Sequence, residues 1–166
     1  MYLPDGPTRP TRAALDAFWD AARAAHPEAG LPDHYHVRWI GLDAESTRQI
    51  IDLIRAKDKT GTFTLPWIVD HTDQPEPKVG DAIILIDFDG KPSLLVRLTQ
   101  VRRILFGAVT AADIAIDGSP VRDLAVWKPL HTAYWNNLLK PFGLSVSDDM
   151  PFWAEPFDLI YDGAPL

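Results

Sequence analysis

The sequence predicts an α+β domain built on a partly closed β-barrel flanked by helices, with a helical extension at the amino terminus. Three observations carry this expectation. Two amphipathic helical patterns fill the first third of the chain, a strand hairpin signal sits in the middle, and an aromatic helix followed by one long apolar strand closes it. Segregated helices and strands of this kind indicate α+β rather than an alternating βαβ architecture.

The elements follow in order. Met1 to Pro10 is rich in proline and polar groups and is expected to be loose. Thr11 caps a helix running to about His26, with Leu15, Phe18, Trp19 and Ala22 on one stripe. Pro27 to Pro32 breaks it, and His34 to Ile40 reads as a short strand. Asp43 caps a second helix over about Ala44 to Lys57, whose buried stripe is Ile50, Leu53 and Ile54. A threonine-rich strand follows, then a loop from Asp70 to Gly80. Asp81 to Phe88 is apolar enough for a buried strand, and Asp89-Gly90 signals a hairpin into a second strand opening at Pro92 and running to about Leu105. Thr110 to Ile116 is a short helical candidate, and Asp117 to Pro120 is a loop. Leu124, Trp127, Tyr134, Trp135 and Leu138 predict a helix that Pro129 kinks or divides. The last strand spans Pro151 to Tyr161, and the tail is expected to fray.

Composition narrows the function classes. The chain has 166 residues, 46% of them hydrophobic, which suits one compact domain with a real core. The formal net charge of −7 argues against a broad electrostatic grip on duplex DNA, which requires many phosphates to be neutralised. With no cysteine, disulfides, thiolate metal sites and a cysteine nucleophile are excluded. No apolar run approaches the roughly 20 residues of a membrane span, and no signal-peptide core is visible, so a cytoplasmic location without a membrane partner is expected.

The most informative stretch is Lys59-Thr60-Gly61-Thr62-Phe63-Thr64. In an extended chain the three threonines share one face, while Phe63 and Leu65 point into a core. The threonine face can line a polar pocket with Lys59 at its mouth, provided the chain bends near Gly61 so that Lys59 and Thr62 converge. The alternative is that the threonines serve β-propensity alone. His34, His36 and His71 read as surface residues rather than metal ligands, so no metal and no cofactor is expected. His131, on a helix with Trp127 and Trp135, reads as a packed, hydrogen-bonded residue. Trp67 follows the threonine strand and can stack on a base, or pack in the core. Arg102 and Arg103 lie at a strand end, where they can contact a phosphate, Arg103 being the candidate for the binding set, or serve only as a solvated strand end.

Five short motifs together resemble the ASCH family, which is related to the PUA domain. They are Lys59-Thr60-Gly61-Thr62, then Pro77-Lys78-Val79-Gly80-Asp81, then Phe106-Gly107-Ala108-Val109-Thr110, then Trp127 with His131, and finally Asp149-Met150-Pro151 with Glu155 downstream. The resemblance spans roughly Asp43 to Tyr161. It implies a PUA-like barrel over residues 41–162, with residues 1–40 as a helical extension and a cleft beside the lysine-threonine strand. Members are proposed RNA binders, some linked to RNA cleavage, and some small bacterial members resemble amidohydrolases acting on N4-acylated cytidine.

The amidohydrolase pattern uses a lysine, a threonine and a glutamate. The resemblance assigns the first two to Lys59 and Thr62, and the third to Asp117, which is one methylene shorter than glutamate. The expected roles are Thr62 as nucleophile, Lys59 as base or oxyanion partner, and Asp117 as orienting carboxylate. Thr60, Trp67, Glu155 and Arg103 complete the expected binding set, with Glu155 pairing a basic residue of the cleft or an exocyclic amine. The competing expectation is a Lys59–Asp117 ion pair that only fixes two loops. The expected partner is therefore a small nucleoside-like ligand or single-stranded RNA. A third reading, an interaction domain, requires Leu15, Phe18 and Trp19 to form an exposed apolar patch.

Overall fold

The computed structural model describes residues 1–164; the last two residues of the tail expected to fray lie outside the described residues. The helices are α1 (Arg12–Ala25), α2 (Ala44–Arg55), the single turn α3 (Pro66–Val69) and α4 (Leu124–Leu139). The strands are β1 (His36–Trp39), β2 (Gly61–Thr64), β3 (Ala82–Ile86), β4 (Pro92–Leu98), β5 (Arg102–Leu105) and β6 (Pro151–Asp162). They form one curled sheet in the order β1-β3-β4-β6-β2, with β5 also paired to β6. Only β1 and β3 are parallel. The result is the α+β half-barrel flanked by helices that the element order predicted.

Strand β6 organises the sheet. Its first half pairs with β2 on one edge and β5 on the other, and its second half pairs with β4. Strand β3 is buried along its whole length because helices cover both faces, which explains its uninterrupted apolar run. Ala82, Ile84 and Ile86 face Leu15, Trp19 and Ala22 of α1, whereas Ile83 and Leu85 pack with Ile51 and Ile54 of α2. A third cluster joins Trp127, Trp135 and Leu139 of α4 to Phe63 and Phe152. Among the described residues, no helix is long and apolar enough to cross a membrane.

The local signals explain most helix ends. Thr11 accepts from Ala14 N, and Asp43 and Ser46 form a reciprocal capping box. Helix α4 passes through Pro129 without dividing. Ala125, whose carbonyl the proline leaves without its helical partner, is exposed, so water can satisfy it.

Four expectations need correction. The strand predicted from Pro92 to Leu105 is two strands, because β6 changes partner at Pro156, which has no N–H for a continued ladder. The segment from Thr110 to Ile116 is a run of turns, in which Asp113 accepts from Thr110 N and Oγ1. The apolar stripe of α1 is covered by the sheet, leaving Leu15 and Trp19 buried rather than displayed as a docking patch. The leading segment is docked rather than loose: Tyr2 and Leu3 pack against the core clusters, and Thr8 N donates to Phe88 O.

Gly61 matters for closeness rather than for a turn. Its φ is not positive, but a Cβ there would lie 2.5 Å from Ile116 Cδ1 and 2.9 Å from the Glu155 carbonyl oxygen. Gly61→Ala should therefore lower stability by about 1–3 kcal/mol in chemical denaturation, since the backbone of β6 cannot yield freely. An unchanged midpoint would show that β2 and β6 are less tightly apposed.

Candidate active site

The end of α2 positions the first candidate side chain, Lys59. Lys57 takes the left-handed conformation that ends helices, with φ 57°, and Asp58 N and Lys59 N both donate to Leu53 O. The chain then runs alongside the loop after Ile116. Thr60 N donates to Ile116 O, Ser119 N donates to Asp58 Oδ2 at 2.8 Å, and Arg122 pairs with Asp58 at 2.6 Å. These contacts bring Lys59 to Asp117. The Lys59 Nζ donates to Asp117 Oδ1 at 2.7 Å, and Gly118 N donates to the same oxygen at 2.8 Å. Both residues are buried, at 5% and 6% exposure.

This pair borders a cavity of about 310 Å³. Thr62 and Thr64, two apart on β2, both line it. Thr62 is 8% exposed and shares the cavity with the Lys59–Asp117 pair without a direct bond to either partner. Ile50 and Leu53 of α2 form an apolar wall, which is why the fully buried stripe of that helix is Thr47, Ile51 and Ile54 instead of the predicted Ile50, Leu53 and Ile54. The leading segment contributes Tyr2, Leu3 and Pro4 to the lining. A second cavity of about 450 Å³ adjoins, and Tyr2, Arg38 and Gln74 line both.

The remaining sequence-predicted binding residues do not gather here. Thr60 is exposed and engaged only through its backbone, so it leaves the threonine face. Trp67 packs against the aromatic cluster and does not line the cavity, and Arg103 is exposed on β5, also away from it. Glu155 has no exposure at all. It pairs with a basic residue of the cleft, as one of its two expected roles required: Arg38 Nη1 donates to both carboxylate oxygens at 3.0 Å. Burial pushes the Glu155 carboxyl up from its ordinary range, and Arg38 opposes that shift. Thr64 also favours the charged form, although its hydroxyl meets no partner at hydrogen-bonding geometry.

Sequence reasoning missed Arg38. The available signal was a charged residue between Val37 and Trp39 in a short strand. Its partner lies 117 positions away, and nothing local announces that.

His131 forms another wall of the cavity. Its Nδ1 donates to Trp127 O at 2.9 Å, as a carbonyl partner requires, and its ring stacks on Trp127 with centroids 4.1 Å apart. It is thus the packed, hydrogen-bonded residue that the sequence suggested. Burial pushes its pKa down to about 4, so the ring is neutral at physiological pH. Above about pH 6.5 the imidazole is neutral in folded and unfolded chains, and its contribution to stability is complete. As pH falls from there to about 4, the unfolded chain takes up a proton that the folded chain refuses, so up to about 3 kcal/mol is lost. Denaturation at a series of pH values should show this acid-side loss in the parent protein and a flatter profile in His131→Gln. Parallel profiles would refute it.

The comparisons with known proteins agree with this architecture. The family model for the ASCH domain matches residues 38–161. An ASCH domain structure from Lactobacillus crispatus JV V101 superposes with a TM-score of 0.79 at 18% identity, covering 96% of this chain and 99% of that one. A protein structure from Enterococcus faecalis V583 gives a TM-score of 0.77 at 22% identity, covering 90% of each chain. No curated protein matches the sequence. With three quarters of its length under the family model and the same fold in both structures, the chain belongs to the ASCH domain family.

Proposed function

We propose that this ASCH protein hydrolyses the exocyclic amide of a small acylated nucleoside of the N4-acylcytidine type. The observation that carries the reading is the buried Lys59–Asp117 pair on the same cavity as the Thr62 hydroxyl. A structural role alone accounts poorly for that pair. The two loops are already joined by Thr60 N to Ile116 O and by Ser119 and Arg122 to Asp58. Burying two charges costs desolvation that their attraction does not reliably return.

In the proposed reaction the Thr62 oxygen attacks the acyl carbon. Its proton passes to Lys59 Nζ as Lys59 releases one to Asp117, so Lys59 stays cationic beside the developing oxyanion. When the C–N bond breaks, the proton held by Asp117 returns through Lys59 to the leaving nitrogen. Water then cleaves the threonine ester, delivering the acid and restoring Thr62. The shorter carboxylate at position 117 suffices because Asp117 Oδ1 already reaches Nζ at 2.7 Å.

A polymer partner has less support. Outside the cavity Arg55, Arg102 and Arg122 are engaged by Asp162, Asp113 and Asp58, and the chain carries a net charge of −7. Salt-dependent binding needs a run of unpaired cations.

Incubation with N4-acetylcytidine should release cytidine and acetate. Thr62→Val and Lys59→Ala should each cut the rate by about a thousandfold or more, the scale of losing a nucleophile or its activating group. Turnover retained in either folded variant would refute the assignment, and salt-sensitive retention of single-stranded RNA without turnover would favour a binding module.

A further inference from the structure

A second polar end of the cavity is built around Arg38. In the β2–β6 ladder Thr62 is the direct partner of Glu155, so their side chains stand on the same face of the sheet, about 5 Å apart at Cβ. Glu155 holds the Arg38 guanidinium through Nη1 alone. Among the described residues Nε and Nη2 of Arg38 meet no hydrogen-bond partner, and the side chain lines the cavity at 11% exposure. A guanidinium fixed at one nitrogen presents its remaining donors in a rigid fork. Thr64, on the same face of β2, adds a buried hydroxyl without a partner.

Charge decides what this end accepts. Arg38 is matched by Glu155 and Lys59 by Asp117, so the cationic side chains lining the cavity are each paired with an acid. His131 adds a neutral ring. A balanced site of this kind suits an uncharged acceptor better than a phosphate, which would face Glu155 and Asp117 without an unmatched cation.

We propose that Arg38, positioned by Glu155, binds the ring carbonyl of an uncharged heterocycle and thereby sets the acyl amide against Thr62. This rests on the hydrolase reading for the identity of the amide, and it assigns a binding role to Arg38 and a positioning role to Glu155. In an acylated cytosine the ring carbonyl and the exocyclic amide lie on one edge, separated by a single ring nitrogen. Thr62 and Arg38 are both neighbours of Glu155, one across the ladder and one through the ion pair, and both line the cavity.

The test compares N4-acetylcytosine with 4-acetamidopyrimidine, which lacks the ring carbonyl, by calorimetric titration. Thr62→Val serves as the parent so that neither compound is consumed. The parent should prefer the carbonyl compound by roughly ten- to hundredfold, the scale of a hydrogen bond to a charged group. The preference should collapse toward unity when Arg38→Lys is added, and likewise with the pair Arg38→Met and Glu155→Gln, which removes both charges together. Arg38→Lys keeps the test decisive if the pair fails to fold. Equal affinities in the parent, or a preference that survives in a folded variant, overturns the proposal. Turnover of N4-acetylcytidine by the unmodified protein is scored separately. A preference that depends on Arg38 without turnover supports the Arg38 role and refutes the hydrolase. Turnover with no such preference refutes Arg38 alone, and no binding of either compound overturns both.

Discussion

Two ion pairs, Lys59–Asp117 buried and Arg38–Glu155 partly buried, govern the rest of this structure. A charge withdrawn from water is tolerable only when its partner is held at hydrogen-bonding distance. Lys59–Asp117 and Arg38–Glu155 both meet that condition, at 2.7 and 3.0 Å. Meeting it requires four elements to be fixed at once. The turn after α2 carries Lys59, the loop after Ile116 carries Asp117, β1 carries Arg38 and β6 carries Glu155. The long bent β6 makes this feasible, because it pairs with β2 and β5 along one half and with β4 along the other. The hydrophobic clusters then hold the frame while the polar groups face the cavity that β2 and α2 border.

The proposed preference for a small, uncharged ligand draws on the surroundings of the cavity. Ile50 and Leu53 make one wall apolar, the neutral His131 ring forms another, and residues 2–4 close in from the leading segment. In such surroundings fixed dipoles and paired charges act more strongly than they would in water. Helix α1 contributes indirectly: by covering Ile84, Ile86 and Leu95 it supports the sheet from the face opposite α2.

Much of this was legible in the sequence. Caps at Thr11 and Asp43, the Asp89-Gly90 turn and the unbroken apolar run of β3 are local signals, and local physics honours them. Lys59, Thr62 and Asp117 were found together only because a family resemblance joined residues 58 positions apart; periodicity alone would not have paired Lys59 with Asp117. Arg38 stayed hidden for the same reason, since its partner is supplied by tertiary pairing. The placing of Ile50 and Leu53 in a core stripe failed because a helix beside a cavity divides its apolar residues between two environments. Trp67 and Arg103 were plausible by residue type, but chemistry of type does not fix direction, and both point elsewhere.

The central claim is that Thr62 and Arg38 address two points on one small molecule. The most direct test is a crystal structure of the Thr62→Val protein bound to N4-acetylcytidine. The account predicts the acyl carbon beside position 62 and within reach of Lys59, with the ring carbonyl turned toward the Arg38 guanidinium. A ligand seated outside this cavity, or one with its acyl group directed away from Lys59, would contradict it.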